Sequence, residues 1–493
     1  MSKLGYKFLA ALWLFAIGVA PITAQDQGQS PTPTPDQATP PIPAYRSPLA
    51  GAADNGDTDT DNQKFIPDTR PLTGAQDLSI GAPAITHSYW QPHFNFSSSA
   101  DSNGLSATNN TGWTTYSTFY GGVDLHRISG DSSLTLSYLG GGMISNSGDA
   151  TDGITQAFNF SDKFAFRRWA LTIFDQLHYL PQASFGFAGL GGDTLPGSGF
   201  GGLGSGFVPG QSILTATGQS LANSTVTEVD VLLTPRSTLT FSGGYSLLRY
   251  FDNDQLNSGG AIFQAGYSRQ LTRKDTIGLQ YSFSAFRYSN FDQSINVNVV
   301  QASYGRRVTG KLAFQLGVGP EVATFHTPIT TSTGSPVSPG GAAGAGPTTY
   351  VSWSLHGGLT YQMRRTGLGL SYNHGVSGGS GVLAGAISDT VSGSASRQLS
   401  RRFSGSWNVG YARNTGLAVT AGTATTVNQI YSYWFTGGSL NHPWGRDMNM
   451  NLSYQLQYQD SNSGFCIGPT CGTNVVVHTI TFGLGWSRRP IPF

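Results

Sequence analysis

Four stretches of this chain share one design, in which an alternating strand runs into a short arginine-rich turn and a second alternating strand leads away. They occupy residues 266–282, 303–317, 360–373 and 396–411. Apolar residues fall at every second position on both sides of each turn, which is the period of a β-strand with one apolar face. Hairpins with basic turns at one end and long polar loops at the other are typical of a transmembrane β-barrel.

The composition favours strands over helices as the membrane-spanning elements. Only 11% of the 493 residues are charged, 12% are aromatic and 66 are glycine. A soluble globular protein normally carries about twice that charged fraction. After residue 20 no run approaches the roughly 18 apolar residues of a helical span. Low charge without apolar runs fits strands that show one face to lipid and the other to water; a soluble, secreted all-β protein is the alternative.

The first 24 residues have the pattern of an export signal. Lys3 and Lys7 precede a short apolar core at 8–20, and Ala24 offers a cleavage site before Gln25. An uncleaved membrane anchor is the alternative, for which the apolar core is short. We therefore expect residues 1–24 to be a signal peptide, and export followed by a barrel predicts a location in a bacterial outer membrane.

Residues 25–85 differ in composition from the chain that follows. Residues 31–48 are rich in proline and residues 54–61 are acidic. Such a segment cannot bury enough apolar surface to offset the entropy lost on ordering. We expect a disordered periplasmic spacer over 25–85, with binding of a periplasmic partner as the alternative, and an outer-membrane barrel over 86–493.

Counting hairpins backwards from the C-terminus predicts an all-β, closed antiparallel barrel of about 18 strands. The last strand is expected at about 474–487 and the first near 86–98, where Pro92 weakens the strand pattern. An even number agrees with single-chain bacterial barrels, and 16 strands is the alternative. The periplasmic turns are predicted at 129–130, 167–168, 235–237, 271–275, 307–310, 363–366, 399–402 and 441–447.

Two acidic residues interrupt an otherwise regular alternation. Strands at 349–362 and 448–459 alternate cleanly between apolar and polar side chains. Asp175 and Asp389, in contrast, fall among apolar neighbours. They indicate either a bulge that shifts the register or strand boundaries that are off by one residue.

The placement of basic residues supports this topology independently. Of the 22 Lys and Arg residues from residue 86 onward, all but Arg249, Arg287 and Arg413 lie at or near a predicted periplasmic turn or the C-terminal end. Each exception follows, by ten residues, an apolar residue that opens an outward-running strand. Ten residues of a tilted strand climb about 25 Å, the height of the apolar band. We expect these arginines at the outer lipid boundary, close to Tyr250, Tyr288 and Tyr411. They would bind lipopolysaccharide phosphates or simply extend to the interface.

The polar faces of the strands predict an aqueous lumen, because a barrel of 18 strands leaves a channel unless something fills it. Glu228 and Asp230 form a rare acidic pair on this face. Hydrogen bonding to neighbouring strands is the favoured role of this pair, and ion selectivity is the alternative. The residues expected to line the pore are Glu228, Asp230, Ser352, Ser354, His356 and Gln455.

Two extracellular loops have distinctive compositions. Residues 180–221 form the longest connection and are rich in glycine with interspersed Phe and Leu. This loop is predicted either to fold into the mouth and constrict or plug the pore, or to stay mobile at the surface. Cys466 and Cys471 share the last loop, and in an exported protein so close a pair predicts a disulfide. Metal binding by two cysteines alone is not expected.

The strand–turn–strand units YSRQLTRK, YGRRVTGK and SRQLSRR, the aromatic strand ends and the terminal Phe493 resemble the β-barrel porins of Gram-negative outer membranes over roughly 86–493. The resemblance implies a channel for passive diffusion of small polar solutes, surrounded by outer-membrane lipid and lipopolysaccharide. Thr481, Gly483 and Trp486 partly match the signal that the barrel assembly machinery reads in this class. Residues 488–492 intervene before Phe493, and their two prolines predict no ordinary strand pairing there. Whether Trp486 or Phe493 is the recognised aromatic stays open.

No catalytic pattern is present in the sequence. The nine histidines are scattered, without H-E-x-x-H or G-x-S-x-G, and the glycine-rich runs follow no strand-to-helix switch of a phosphate loop. We expect no enzyme, no cofactor, no metal and no nucleic-acid partner. Two functions remain: a diffusion porin, as a monomer or homo-oligomer, or an export or scaffolding barrel whose tail at 25–85 binds a periplasmic partner.

Overall fold

The computed structural model describes the chain from residue 87 onward, apart from several connections between strands. The predicted signal peptide at 1–24 and spacer at 25–85 lie outside the described residues. None of the described residues forms a helix with the length and hydropathy needed to cross a membrane. The described ranges are 87–102, 113–147, 152–180, 219–251, 257–288, 293–326, 348–363, 365–377, 385–416, 430–462, 466–467, 470–471 and 474–493.

The described residues form 21 strands. Eighteen of them, β1–β17 and β20, are long, and β18, β19 and β21 are two residues each. The strands are β1 Tyr89–Asp101, β2 Thr114–Ser129, β3 Ser132–Ser147, β4 Gly153–Ala165, β5 Trp169–Leu180, β6 Ser220–Thr234, β7 Ser237–Tyr250, β8 Ser258–Gln270, β9 Asp275–Tyr288, β10 Gln293–Arg307, β11 Leu312–His326, β12 Thr348–Gln362, β13 Thr366–Ser377, β14 Ala386–Gln398, β15 Ser404–Gly416, β16 Ile430–Trp444, β17 Met448–Ser461, β18 Cys466–Ile467, β19 Thr470–Cys471, β20 Asn474–Ser487 and β21 Ile491–Pro492.

The long strands close into an antiparallel barrel. Each pairs with its neighbours in chain order, and the ring closes where β1 pairs with β20, for example at Phe96 and Leu484. The predicted 18-strand barrel is confirmed, and 16 strands is excluded. At or near each of the eight predicted periplasmic turns one strand ends and the next begins. The predicted last strand coincides with β20. The first strand is also confirmed, with Pro92 accommodated opposite Val123.

Local chemistry explains why the periplasmic connections are tight. Gly130 and Gly445 have φ angles of 56° and 80°, in the left-handed region that glycine adopts without steric cost. In the β8–β9 turn, Thr272 donates its hydroxyl to Asp275 while accepting the Asp275 amide. Such side-chain to backbone bonds replace the ladder where the chain reverses. The basic residues of the turns therefore project from a compact rim.

The two faces of the wall are chemically distinct. On alternate positions of β12 the apolar side chains Val351, Trp353 and Leu359 are exposed on the outer surface. On β7 the alternate positions Thr240, Ser242 and Ser246 are buried on the inner surface. This alternation is what a barrel in lipid requires, because its apolar outer face contacts hydrocarbon and its polar side chains point away from the hydrocarbon.

The two acidic interruptions have a different cause from the one expected. Asp175 and Asp389 pair in regular register with Thr225 and Arg413, so no bulge lies at either position. The observed strands begin or end one to three residues from the expected 169–179 and 383–398, which leaves both residues on the same face. Both carboxylates lie on the outer face and are hydrogen bonded there. Thr225 and Asn223 donate to Asp175, whereas His374 and Tyr372 donate to Asp389.

The prediction that the terminal prolines prevent strand pairing is wrong. β21 returns to the barrel, where Ile491 pairs with Trp90, and the amide of Phe493 donates to the Ser88 carbonyl at 3.3 Å. The register between this chain end and β1 shifts by one residue between the His93–Ser487 and Trp90–Ile491 pairs. Pro490 lies in this irregular step, where its missing N–H breaks no ladder bond.

The positions of Trp486 and Phe493 predict that Trp486 contributes more to barrel assembly. Trp486 lies on the outer face of β20, 5.7 Å from the Phe94 ring at the closing seam, whereas Phe493 is 64% exposed. We expect Trp486→Ala to reduce the heat-resistant folded fraction in outer membranes more than deletion of Phe493 does. Gel mobility of unheated membrane samples measures that fraction. The opposite order would identify Phe493 as the dominant aromatic.

Candidate functional site: the lumen and its rims

A polar inner face runs around most of the barrel. It is rich in Ser, Thr, Asn and Gln side chains that point away from the lipid. Several of them bridge adjacent strands, such as Ser97 with Thr118 and Ser371 with Ser392. The buried members of this lining include Thr118, Ser137, Asn159, Gln176, Thr240, Ser242, Gln264, Gln280, Gln301, Gln315, Thr390, Asn414, Gln457 and Gln459.

The predicted acidic pair lies on the lumen face of β6. Asp230 pairs in register with Thr240 of β7 and accepts its hydroxyl at 2.6 Å. Glu228 stands two residues further along, between Thr172 and Ser242 in register, and is 8% exposed. The bond to Thr240 shows how a neighbouring strand holds Asp230 in place. Because Thr240 is neutral, the negative charge stays on the lumen face.

The predicted lining residues of β12 and β17 also lie on the lumen face. Gln301 donates to the Ser354 hydroxyl at 3.2 Å, and the Gln315 amide nitrogen lies 3.5 Å from His356 Nε2. The ring of His356 lies so close to Gly317 that a Cβ there would be 2.0 Å from its Cε1 atom. Only glycine permits this approach. Ser352 pairs with Glu321, and Gln455 pairs with Thr479.

A second polar cluster near the periplasmic end was not anticipated from the sequence. His93 Nδ1 lies 3.3 Å from Asp124 Oδ2, and Ser137 donates its hydroxyl to the same carboxylate. His126 Nδ1 lies 3.1 Å from the Thr135 hydroxyl. These residues come from β1, β2 and β3. Their adjacency follows from register and closure, so no sequence motif could reveal it.

The outer end of the lumen carries an apolar cluster. Phe286, Tyr288, Ile295, Val297, Ala323 and Phe325 pack together on the inner faces of β9, β10 and β11. Tyr250 likewise packs with Leu248 on β7. Tyr250 and Tyr288 therefore point into the barrel, away from the adjacent arginines, which corrects the expectation that they accompany those arginines at the lipid boundary. Tyr411 does share the outer face with Arg413.

The end of β13 leaves its neighbour and covers this apolar cluster. Pairing of β12 with β13 stops at Leu355 and His374, although both strands continue. The Val376 amide instead donates to Glu321 Oε1 at 2.7 Å, and the Val376 side chain packs against the cluster. A Cβ on Gly385, just before β14, would lie 2.1 Å from Ile295 Cδ1. The β13–β14 hairpin thus narrows the outer lumen.

The three outlying arginines lie on the outer face in exposed positions. Arg287 donates to Asn296 Oδ1 at 3.0 Å and to the Phe286 carbonyl. Arg413 stands opposite Asp389 in register, which offsets part of its charge. Arg249 stands opposite Leu221, with no carboxylate at the paired position. Of the three, Arg249 has the outer-face setting that best suits an added anion.

Other predicted features fall partly or wholly outside the described residues. The backbones of Cys466 and Cys471 pair directly in the β18–β19 hairpin, and the disulfide stays a prediction. Most of the 180–221 loop lies beyond the described residues. Within the described ranges, no group of three or more His, Cys, Asp or Glu side chains is placed to hold a metal ion.

A closed barrel of 18 antiparallel strands, with an apolar outer belt and basic turns at one rim, defines an outer-membrane β-barrel. Its location is the bacterial outer membrane. No protein-family model matches the chain, and no curated protein does.

Solved structures of Pseudomonas aeruginosa proteins are similar to this chain at a distance. OpdQ is 12% identical, with a TM-score of 0.40, over 82% of this chain and 98% of that one. OccK9 (OpdG) is 13% identical, with a TM-score of 0.41, over 82% and 98%. OccK2 (OpdF), solved with glucuronate, is 10% identical, with a TM-score of 0.40, over 81% and 97%. Similarity at this level does not indicate which solute this chain would bind.

The hydrogen bond from the Val376 amide to Glu321 should slow amide exchange at the end of β13. Glu321→Ala removes the acceptor of the Val376 amide, whereas Glu321→Gln keeps an oxygen there. A hydrogen bond to a charged group contributes ~1.5–3 kcal/mol, so we expect amide exchange at Val376 to rise about 10- to 150-fold in the alanine variant. Hydrogen-exchange mass spectrometry of the folded barrel measures it. Equal exchange in both variants would contradict the proposed contact.

The outer arginines predict a phosphate-dependent association with lipopolysaccharide. We expect the triple variant Arg249→Gln, Arg287→Gln and Arg413→Gln to retain less lipopolysaccharide on purification, because guanidinium groups bind phosphate with two parallel hydrogen bonds. The matched control replaces Arg127, Arg269 and Arg397, which lie on the outer face near the other rim, with Gln. Unchanged co-purification in the first variant would leave interfacial extension as the role of these arginines.

Proposed function

We propose that this protein is a porin-like channel for passive diffusion of small polar solutes across the outer membrane. The observation that carries the proposal is the polar inner face that runs around most of a closed 18-stranded barrel. Barrels of 16 to 18 strands enclose an aqueous channel unless the lumen is filled. The inner surface of this barrel offers hydroxyl and amide groups that can replace part of a polar solute's hydration.

The inward-folded β13–β14 hairpin favours a restricted pore over a wide one. Val376 and Gly385 close one side of the outer lumen against Ile295 and its neighbours. The inner faces of β1–β4, across the barrel, keep polar residues such as Ser99, Ser137 and Asn159. Solutes would therefore pass along the polar side of the mouth.

The His–Asp pair that the described residues form on the outer face lacks the third member of a catalytic triad. His374 Nδ1 lies 2.6 Å from Asp389, and its ring stacks on Trp353 with centroids 4.2 Å apart. The Nε2 atom is buried, with no hydrogen-bond partner among the described residues. A nucleophilic triad needs a hydroxyl or thiol at that nitrogen. We interpret the pair as structural: it satisfies a carboxylate on the outer wall.

The export or scaffolding alternative depends on residues 25–85, which lie outside the described residues. It predicts a barrel without steady conductance and a complex that is lost when the tail is removed. Oligomeric state, the tail's partner and dependence on the assembly machinery stay part of the proposal. The porin interpretation is preferred because the described barrel residues form the wall and rims of a channel without a separate plug domain among them.

Reconstitution tests the proposal directly. The purified full-length protein and a variant lacking residues 25–85 are each inserted into planar bilayers in KCl. We expect steady single-channel conductance from both, since the polar inner face belongs to the barrel alone. Absence of conductance from both proteins would overturn the channel function. Conductance that appears only without the tail would assign the tail a blocking role.

A further inference from the structure

The lumen face of the spanning strands carries more carboxylates than basic side chains. Among the described residues, only Lys163 and Arg307 are basic on that face, as their register with Thr172 and the buried Ala313 shows. Arg307 ends β10 at the periplasmic rim. The acidic residues on the same face number five and are Asp101, Asp124, Glu228, Asp230 and Glu321.

We propose that this pore prefers cations, and cationic or neutral polar solutes, over carboxylates. The inference rests on the proposed channel function and names the solute class that the channel admits. Acidic side chains that line a pore favour cations because their field is confined between low-dielectric walls. No arginine row lines the described lumen that could instead attract an anion.

The carboxylates differ in how much they contribute. Glu321 is 1% exposed and is engaged by the Val376 amide, and Asp101 is also buried. Lys163 of β4 pairs in register with Thr172 of β5, which pairs with Glu228 of β6. The backbones of Lys163 and Glu228 are therefore two strand spacings, or about 10 Å, apart. The positive charge of Lys163 offsets part of the negative charge of Glu228. Asp124 and Asp230 remain. Ser137 and Thr240 each donate a neutral hydroxyl to one of them, and Asp124 also lies 3.3 Å from His93 Nδ1, an imidazole that is ordinarily neutral at pH 8. The uncompensated lumen charge is therefore negative.

The basic periplasmic rim does not reverse this preference. Its arginines project from turns into water, where ions screen a charge over about 8 Å at physiological salt and about 3 Å at 1 M. The lumen carboxylates act where a permeating ion has less water around it. Asp175 and Asp389 lie on the outer side of the wall. These two residues are carboxylates like the lumen acids, but they do not face the path of the solute.

The reversal potential of the full-length protein in a tenfold KCl gradient tests the inference. At pH 8, where histidine is ordinarily neutral, we expect K⁺ to permeate better than Cl⁻ by about 3- to 10-fold, at the low end of focusing by charged clefts. The double variant Asp124→Asn, Asp230→Asn, which removes the two lumen carboxylates that Lys163 does not offset, should bring this ratio close to one. Replacing K⁺ by N-methylglucamine, whose secondary amine is protonated at pH 8, should preserve more current than replacing Cl⁻ by glucuronate.

The matched control is the double variant Asp175→Asn, Asp389→Asn, which removes two carboxylates from the outer wall. We expect its permeability ratio to equal that of the natural sequence. A preference for Cl⁻ in an open channel would overturn the inference alone and leave the channel function standing. An unchanged ratio in the lumen variant would overturn it as well. Absence of any conductance would overturn the channel function and, with it, the preference.

Discussion

The whole structure depends on the requirement that no backbone N–H or C=O be left unpaired in hydrocarbon. An open sheet cannot meet this requirement, because its two edge strands would present free ladders to lipid. Here the seam between β1 and β20 removes both edges, with paired residues from His93–Ser487 to Asp101–Thr479. The short strand β21 extends the same seam toward the periplasmic rim. The short turns and alternating faces are arranged around this closed ladder.

Closure also explains why polar residues are tolerated on the outer wall. A carboxylate facing lipid without partners would be strongly destabilising. Asp175 and Asp389 each accept from two side chains on the same or adjacent strands. Tyr281 and Asn298 form a similar bond across β9 and β10 at 2.9 Å. The register brings these partners side by side, so a polar residue costs little where its neighbour across the ladder is complementary.

The fold was predictable from sequence to an unusual degree, because a barrel repeats one simple rule. Arginine-rich turns and period-two alternation are local signals, and they located eight turns and the last strand. The inward departure of β13 was not predictable, since it depends on Glu321 reaching an amide 55 residues away. The expectation that Tyr250 and Tyr288 lie beside Arg249 and Arg287 at the lipid boundary overlooked that consecutive residues of a strand point to opposite faces. The return of β21 was not predictable, because the two prolines in residues 488–492 disfavour strand pairing, whereas in the structure the register shifts by one residue and pairing resumes at Ile491.

The lumen shows that one residue can serve the wall and the solute path together. Asp230 accepts a hydroxyl from the next strand and so contributes to the cohesion of the β6–β7 ladder. Because the donor is neutral, the same bond fixes the carboxylate in one orientation and leaves its charge facing the lumen. A charge held this way keeps its position as an ion passes, with little reorganisation. Hydrogen bonding between strands and ion preference, which the sequence presents as alternatives, are therefore compatible properties of one geometry.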